Sequence, residues 1–264
     1  MADSAFSPCG LVVLLTDFGL LDPYVGVMHG VIAGIAPAVR VIDLTHGVSA
    51  QDVRTAAFFL SRTREHFPAG SIFVAVVDPG VGSSRRILTA LDRGQLMLAP
   101  DNGLVGPALG PQARLRSLDM ARFATKGLSA TFHGRDVFAP VAAGIGAGAL
   151  RFEELGPEVD DCERLTLPAA LRGERRVQGE VLFADRYGNL ITNVEAADLG
   201  ADPRAWRPRL AGRGLDWVAT YSEARADSPS ILVNSYGLLE VAVAGGSAQR
   251  TLGVGAGALV EFER

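Results

Sequence analysis

Short apolar runs alternate with longer amphipathic segments over roughly the first 150 residues. The runs cover residues 11–15, 39–42, 72–77 and 96–99, with Arg40 as their one charged residue. Apolar runs of this length, bounded by turn-forming residues, are typical of buried strands. The segments 22–36 and 52–67 instead carry apolar residues at helical intervals, and Asp52 and Pro68 mark the start and end of the second. This alternation predicts a largely parallel sheet flanked by helices on both faces.

The pattern changes beyond residue 150. Residues 156–176 contain prolines and charged residues with little periodicity, which is typical of a linker. From residue 177 onward, alternating runs and turn signals predict strands, including a hairpin turn over residues 185–189. We therefore predict an α/β domain over residues 10–155, a linker over 156–176, and a small all-β domain, an antiparallel sheet or barrel, over 177–264.

Each of the four apolar runs is followed by an acidic residue in a loop that contains Gly or Pro. These residues are Asp17, Asp43, Asp78 and Asp101. In open α/β sheets, ligands bind at the carboxyl ends of the strands. The pattern predicts a site at one edge of the sheet. A divalent cation held by the four carboxylates, as in a metal-dependent phosphohydrolase, is an alternative.

Composition and charge narrow the class of protein. The chain has 264 residues, a formal net charge of -4 and a pI of about 5.6, without a Lys/Arg run, which argues against nucleic acid binding. Its two cysteines, Cys9 and Cys162, lie far apart without the spacing of metal ligands, which favours a reducing cytoplasm. No stretch approaches the roughly 18 apolar residues of a membrane helix, and the amino terminus lacks the basic segment of a signal peptide.

Three residues are candidates for activating a water molecule. Asp78 and Arg85 are separated by the Gly-rich segment PGVGSS, which can fold back and bring the guanidinium against the carboxylate. His133 precedes a helix-like segment, and an imidazole near such a pair can serve as a general base. In the structural alternative, Asp78 caps a turn, Arg85 forms a surface ion pair and His133 is a hydrogen-bonded residue at a helix start. Arg86 competes with Arg85 for the arginine role.

Other polar residues carry both a functional and a structural interpretation. Asp17 can accept two hydrogen bonds from a vicinal diol such as that of ribose, or it can cap a turn. Asp22 can start the following helix or contact a ligand. Asn189 and the segment 234–237 have the composition of turns. The glycines of residues 144–148 lack a preceding strand, so they do not indicate a dinucleotide site.

Seven segments in order resemble the family of S-adenosyl-L-methionine hydrolases, formerly a domain of unknown function and related to the bacterial fluorinases and chlorinases. The segments are LLTDFGLLDPYVGVMHG, VIDLTHGV, VAVVDPGVGSSRR, LAPDNGL, ATFHGRDVFAP, DRYGNLITN and VNSYGLLEVAV. The resemblance covers essentially the whole chain. It implies two domains and a homotrimer in which the nucleoside binds between the first domain of one subunit and the second domain of its neighbour.

The resemblance also implies a role for each matching residue. Asp17 holds the ribose hydroxyls, and Asp22 is a weaker candidate for the methionine end. The residues that position and activate water are Asp78, Arg85 and His133. The residues that contact the adenosine or methionine portions are Asn189, Ser235, Glu240 and Val243. Fluorinases carry Arg at the position of Tyr236, which leaves methionine recognition open here.

The implied reaction is attack of water or hydroxide on the ribose C5′ of S-adenosyl-L-methionine, releasing adenosine and L-methionine. We expect neither a metal nor a cofactor, since a neutral thioether is already a good leaving group. Two alternatives keep the same ligand: a non-catalytic binding protein for S-adenosyl-L-methionine or adenosine, and a 5′-halogenase that uses halide. The halogenating relatives usually have Tyr in place of Asp78, which favours the hydrolase.

Overall fold

The computed structural model describes residues 6–123, 127–226 and 228–264. Its backbone contacts divide the chain into two compact units at the Leu167–Pro168 bond. Each unit has its own sheet and its own hydrophobic core. No helix in these described ranges has both the length and the apolar character needed to cross a membrane.

The first unit combines a seven-stranded sheet with helices. Its strands are β1 (Leu11–Thr16), β2 (Arg40–Thr45), β3 (Ile72–Val76), β4 (Ile87–Asp92), β5 (Gln95–Pro100), β6 (Arg114–Ser117) and β7 (Glu158–Val159). Its helices are α1 (Tyr24–Ile35), α2 (Val53–Thr63), α3 (Met120–Phe123) and α4 (Ala139–Gly146), the last preceded by a π-helical turn at Gly134–Phe138. Short 3₁₀ turns lie at Arg64–His66, Gly106–Ala108 and Phe152–Glu154.

This sheet is mixed, whereas the sequence pattern predicts a largely parallel one. The strand order is β2-β1-β3-β5-β4-β6-β7, and only the pairs among β2, β1, β3 and β5 are parallel. The antiparallel half begins at the β4–β5 hairpin, which turns at Arg93 and Gly94 with φ of 50° and 71°. Positive φ at both central residues is the geometry of a tight hairpin turn that suits the twist of the strands.

Two cores sandwich the sheet because successive side chains of each strand point to opposite faces. In β1, Val12 and Leu14 enter the core shared with α1 and α4, while Val13 and Leu15 enter the core shared with α2. All four side chains are almost completely buried. The continuous apolar run of β1 therefore follows from burial on both faces.

Helices α1 and α2 differ in how their first turns are capped. Asp52 caps α2, with Oδ1 accepting from the backbone N–H of Thr55 at 3.0 Å, as its position in the sequence predicts. Asp22 does not cap α1: the residue before that helix is Pro23, no side chain caps it, and Asp22 is exposed. The structure therefore gives Asp22 no helix-starting role.

The second unit is built around a nine-stranded sheet. Its strands are β8 (Leu171–Arg172), β9 (Arg176–Ala184), β10 (Leu190–Glu195), β11 (Arg207–Leu210), β12 (Arg213–Gly214), β13 (Asp216–Trp217), β14 (Ser230–Val233), β15 (Leu238–Ala242) and β16 (Leu259–Glu263). Their order is β12-β11-β16-β9-β10-β15-β14-β13, with β8 beside β9. Every pair is antiparallel except β13–β14, and one short helix, α5 (Ala248–Leu252), accompanies the sheet. Short 3₁₀ turns lie at Ala196–Leu199, Pro203–Ala205 and Tyr221–Glu223.

The segment between the two predicted domains contributes strands to both sheets. Within residues 156–176, β7 pairs with β6 of the first sheet and β8 pairs with β9 of the second. The division at Leu167–Pro168 falls between these two strands.

Candidate active site

The parallel strands bring three acidic residues to one edge of the first sheet. Asp17 directly follows β1, Asp78 lies two residues beyond β3, and Asp101 directly follows β5. Since parallel strands end at the same edge, their loops are neighbours there. Asp43 differs from the expectation because it lies inside β2, in register with Leu14.

Arg85 joins the carboxylate of Asp78 to the imidazole of His133. Its Nε lies 2.8 and 2.9 Å from the two Asp78 oxygens, and its Nη2 also contacts Oδ2. The same Nη2 lies 3.0 Å from Nδ1 of His133. The Asp78 and Arg85 side chains are only 5% and 11% exposed, and His133 is buried. The three predicted water-activating residues therefore form one connected, largely buried group.

A glycine allows the two loops of this group to meet. Gly82 has φ of +80°, and a Cβ there would lie 2.5 Å from the carbonyl oxygen of Ala130. Any other residue would both strain the backbone and clash. Gly82 thus explains how the loop that carries Arg85 packs against the loop that precedes His133.

The hydrogen bond from Arg85 defines the protonation of His133. A guanidinium has no acceptor, so Nδ1 of His133 accepts and the proton of the neutral ring resides on Nε2. Burial, followed by the positive charge of Arg85, holds the pKa of His133 below its usual range, although Asp78 and Asp136 act in the opposite direction. At neutral pH the ring is therefore an uncharged hydrogen-bond donor through Nε2.

A cavity of about 370 Å³ opens beside this group. Arg85 and His133 line it together with the small residues of the Gly-rich loop and the apolar side chains of Met120 and Leu128. Asp78 is not among the lining residues, but it contacts Arg85, which is. The space combines a cation, a neutral donor and apolar walls.

Asp17 lies in the neighbouring loop and has a defined orientation. Its Oδ2 accepts from the backbone N–H of Gln51 at 2.7 Å, and Oδ1 has no hydrogen-bond partner among the described residues. The next residue, Phe18, packs edge-on against Phe132 with 6.1 Å between ring centroids. This aromatic contact ties the Asp17 loop to the loop of His133.

In the second unit, Glu240 and Asn189 lie in adjacent strand regions. Glu240 is buried in β15, and its Oε1 accepts from the Tyr221 hydroxyl at 2.7 Å. Burial raises the pKa of Glu240, while hydrogen bonds from Tyr221 and Asn234 act against that rise. Asn189 is buried at the end of the hairpin turn and donates from Nδ2 to Asp185 at 3.1 Å.

The other two candidates of this unit have different surroundings. Ser235 is exposed in the turn between β14 and β15, where Oδ1 of Asn234 accepts from the backbone N–H groups of Tyr236 and Leu238 at 2.9 and 3.1 Å. Val243 is buried in the core of the unit, which leaves its backbone as the part suited to a ligand contact.

The strand-end acids do not gather around one point. Asp43 pairs with His29 and Asp101 with Arg86, while Asp17 and Asp78 have the partners given above. Within the described ranges, no group of three or more His, Cys, Asp or Glu side chains is arranged to hold a metal ion. Arg86, the competitor of Arg85 in the sequence, is committed to Asp101 and Asp161.

Sequence reasoning missed two side-chain contacts. Tyr221 lies in a 3₁₀ turn of low apolar content and gives no motif, yet its hydroxyl donates to Glu240. His46 lies in the segment VIDLTHGV, and its Nδ1 is 2.8 Å from Oγ1 of Thr16. The position of His46 shortly after the predicted strand over residues 39–42 is a sequence signal that could have indicated the second contact.

Known proteins match both units. Residues 12–156 match the model of the SAM hydroxide adenosyltransferase N-terminal domain, and residues 179–261 match that of the C-terminal domain. A relative from Thermus thermophilus, named (R)-S-adenosyl-L-methionine hydrolase, is 42% identical over 92% of this chain and 95% of its own length. A protein named fluorinase from an Actinoplanes species is 24% identical over 88% of this chain and 90% of its own. The crystal structure of a conserved protein from Thermotoga maritima has a TM-score of 0.85 and 32% identity, covering 96% of this chain and 100% of that one.

Proposed function

Because the chain belongs to the SAM hydroxide adenosyltransferase family, we propose that it is an enzyme that hydrolyses S-adenosyl-L-methionine to adenosine and L-methionine. The observation that carries this proposal is the hydrogen-bonded group of Asp78, Arg85 and His133 beside a cavity. By analogy with the name of the Thermus relative, the substrate is the epimer with R configuration at sulfur.

The proposed reaction is a substitution at the ribose C5′. A water or hydroxide oxygen forms the new bond to C5′ as the C5′–sulfur bond breaks, and sulfur keeps the electron pair to become the thioether of methionine. The proton of the attacking water leaves to solvent. A negative nucleophile and a positive sulfonium lose charge as they combine, so a cavity that excludes water favours the reaction.

Arg85 supplies the charge that makes an anionic nucleophile accessible. Bulk water has a pKa of about 15.7, so hydroxide is scarce at neutral pH unless a nearby cation stabilises it. The hydrogen bonds from Nε and Nη2 to Asp78 fix the plane of the guanidinium. Asp78 is thus the positioning residue, and Arg85 is the group that faces the nucleophile.

His133 holds the nucleophile from a second direction. Its Nδ1 is occupied by Arg85, so Nε2–H is the group available to the nucleophile, and it donates a hydrogen bond. This role differs from that of a general base, which would need an unprotonated Nε2. Two donors at fixed positions align the oxygen with C5′ and sulfur, and alignment of this kind can be worth an effective concentration of about 10⁵ M or more.

The substrate-binding roles follow the family resemblance. Asp17 binds the ribose hydroxyls, and its unshared Oδ1 supports this role. Asp22 is exposed next to the start of α1 and remains a weaker candidate for the methionine end. The second domain contributes contacts to the adenine and methionine portions through four residues: Asn189, Ser235, Glu240 and Val243.

The proposed assembly is a homotrimer. Each site then combines the first domain of one subunit with the second domain of its neighbour, which accounts for polar candidate residues in both domains. The reaction needs no metal or cofactor, because the sulfonium carries its own leaving group. We place the enzyme in the cytoplasm, where its two free cysteines stay reduced.

Product analysis tests the proposal. Purified protein is incubated with S-adenosyl-L-methionine of R configuration at sulfur, with and without a strong chelator, and the mixture is separated by chromatography. We expect adenosine and methionine in equal amounts in both samples. Intact substrate after long incubation would instead indicate a binding protein, a chloride-dependent 5′-chloro-5′-deoxyadenosine would indicate a halogenase, and loss of turnover with the chelator would indicate a metal enzyme.

A further inference from the structure

His46 is buried in the first unit, at the same edge of the sheet as Asp17. The proposed reaction gives His46 no role. It directly follows β2, the strand that pairs with β1. Its Nδ1 lies 2.8 Å from Oγ1 of Thr16, the last residue of β1 and the neighbour of Asp17. Both side chains are shielded from solvent, so water does not compete for the hydrogen bond between them.

The direction of this hydrogen bond follows from a second contact. Oγ1 of Thr16 accepts from the backbone N–H of Phe18 at 3.1 Å, and its own proton is best satisfied by Nδ1 of His46. The imidazole then carries its proton on Nε2, which lies 3.0 Å from Oδ1 of Asp43 without the geometry of a hydrogen bond. The contact with Thr16 therefore defines the tautomer of His46.

Backbone atoms of residues 46–51 also form hydrogen bonds with the loop that contains Asp17. The carbonyl oxygen of His46 accepts from the N–H of Gly19 at 2.8 Å. Five residues later, the N–H of Gln51 donates to Oδ2 of Asp17 at 2.7 Å. Residues 46–51 thus contact the residue before Asp17, the residue after Phe18, and the Asp17 carboxylate itself.

We propose that His46 is a positioning residue for Asp17: by accepting a hydrogen bond from the Thr16 hydroxyl, it fixes the loop that aims the Asp17 carboxylate at the ribose diol. The inference rests on the proposed ribose-binding role of Asp17. His46 does not touch substrate in this account. Its loss therefore weakens nucleoside binding while the group at Arg85 and the chemical step are left intact.

Replacing His46 by Asn or by Gln tests separately what Nδ1 and Nε2 of the imidazole contribute. The side-chain oxygen of Asn falls near Nδ1 and can still accept from Thr16, whereas the longer Gln reaches the Nε2 position and leaves Thr16 without its acceptor. For both variants, the dissociation constant for adenosine is measured by calorimetry, and KM and kcat are measured by steady-state kinetics. We expect His46→Gln to raise the dissociation constant and KM about tenfold with kcat changed less than about twofold, and His46→Asn to stay within about threefold of the native protein.

Substitutions at Thr16 repeat the test from the other partner. Thr16→Val keeps the shape and removes the hydroxyl, so we expect the same rise in KM, while Thr16→Ser retains the hydroxyl and restores binding. His29→Gln is the matched control, because His29 donates to the same Asp43 oxygen at 2.7 Å but has no hydrogen bond to residues 16–19 in the described part of the chain. Thermal unfolding of each variant shows whether any change comes from instability.

The outcomes distinguish this inference from the function on which it rests. Native affinity in both His46→Gln and Thr16→Val, or equal losses in His46→Gln and His46→Asn, would overturn the positioning role. If those variants bind normally while Asp17→Ala binds adenosine weakly, only the inference fails. If Asp17→Ala itself binds adenosine normally, the ribose-binding role of Asp17 fails and the inference with it.

Discussion

The guanidinium of Arg85 binds Asp78 and His133 at the same time: its Nε lies 2.8 and 2.9 Å from the Asp78 oxygens, and its Nη2 lies 3.0 Å from Nδ1 of His133. The bond to Nδ1 makes His133 a donor through Nε2. The candidate active site therefore presents a cation and a neutral donor to its cavity, with the balancing carboxylate behind them.

Replacing Arg85 tests which arginine serves the reaction. Arg85→Met removes the cation and frees Asp78, so we expect kcat for hydrolysis of S-adenosyl-L-methionine to fall by about 10²- to 10⁴-fold, as when other groups that activate a nucleophile are removed. Arg86→Met is the control, since Arg86 pairs with Asp101 and Asp161 and should keep turnover near the native value. A larger loss in Arg86→Met than in Arg85→Met would reverse the assignment.

The titration of His133 reports its environment directly. The chain has only four histidines, so their ring signals can be followed by NMR and assigned with a His133→Gln variant. We expect His133 to titrate below its ordinary value of about 6.5, with Nε2 protonated in the neutral form. In Arg85→Met the nearby positive charge is gone, so the midpoint should rise.

The titration of His133 also predicts how the rate of hydrolysis depends on pH. Protonation of Nδ1 at low pH breaks the hydrogen bond from Arg85 and places two positive charges side by side. The rate should therefore decline as pH falls through the His133 midpoint and be fully retained above it. A neutral ring that carries its proton on Nδ1 would contradict the donor role.

The ribose-binding role of Asp17 is tested by affinity alone. Asp17→Ala removes a carboxylate whose Oδ1 has no partner in the described part of the chain. Hydrogen bonds to a charged group are worth about 1.5–3 kcal/mol, so adenosine binding should weaken by about 10- to 100-fold in calorimetry. Glu65→Gln, an exposed carboxylate remote from β1 in sequence, provides the comparison. Equal affinity in the Asp17 and Glu65 variants would remove the diol contact.

A buried arginine stabilises the first unit without serving the site. Arg64 donates to the Asp92 carboxylate at 2.8 Å, to Oε1 of Gln95 at 2.9 Å and to the carbonyl oxygen of Ala108 at 2.6 Å. Arg64→Met leaves the buried Asp92 short of a partner, and we expect the free energy of unfolding to drop by about 3 kcal/mol in urea titration.

The control for this prediction contacts the same atom from solvent. Arg93 lies 3.0 Å from the same Asp92 oxygen, but its side chain is 65% exposed. Screening limits such a pair to about 0–1 kcal/mol, so Arg93→Met should unfold almost as the native protein does. Similar losses in the two variants would show that burial does not control the strength of these pairs.

Much of the fold could be predicted from the sequence because its signals are local. The apolar run of β1, the Asp52 cap of α2 and the turn before Asn189 depend on neighbouring residues. The sequence pattern does not predict the β4–β5 hairpin, because strand β4 is not among the apolar runs that it singles out. Without that hairpin, the pattern predicts a more parallel sheet than the structure has.

The site was less accessible to local reasoning. Arg85 and His133 are 48 residues apart, and the loops that carry them meet where Gly82 closely approaches Ala130. The resemblance to a known family predicts both residues from the sequence, and the family models confirm the resemblance. The individual roles stay predictions, and the contacts of His46 and Tyr221 required the folded structure.

Hydrolysis in isotopically labelled water tests the central claim, which is attack of a solvent oxygen on C5′. The enzyme is incubated with S-adenosyl-L-methionine in water enriched in heavy oxygen, and the products are analysed by mass spectrometry. The account predicts one labelled oxygen in adenosine, on its 5′-hydroxyl, and none in methionine. Unlabelled adenosine, or label in a fragment derived from the methionine side chain, would contradict it.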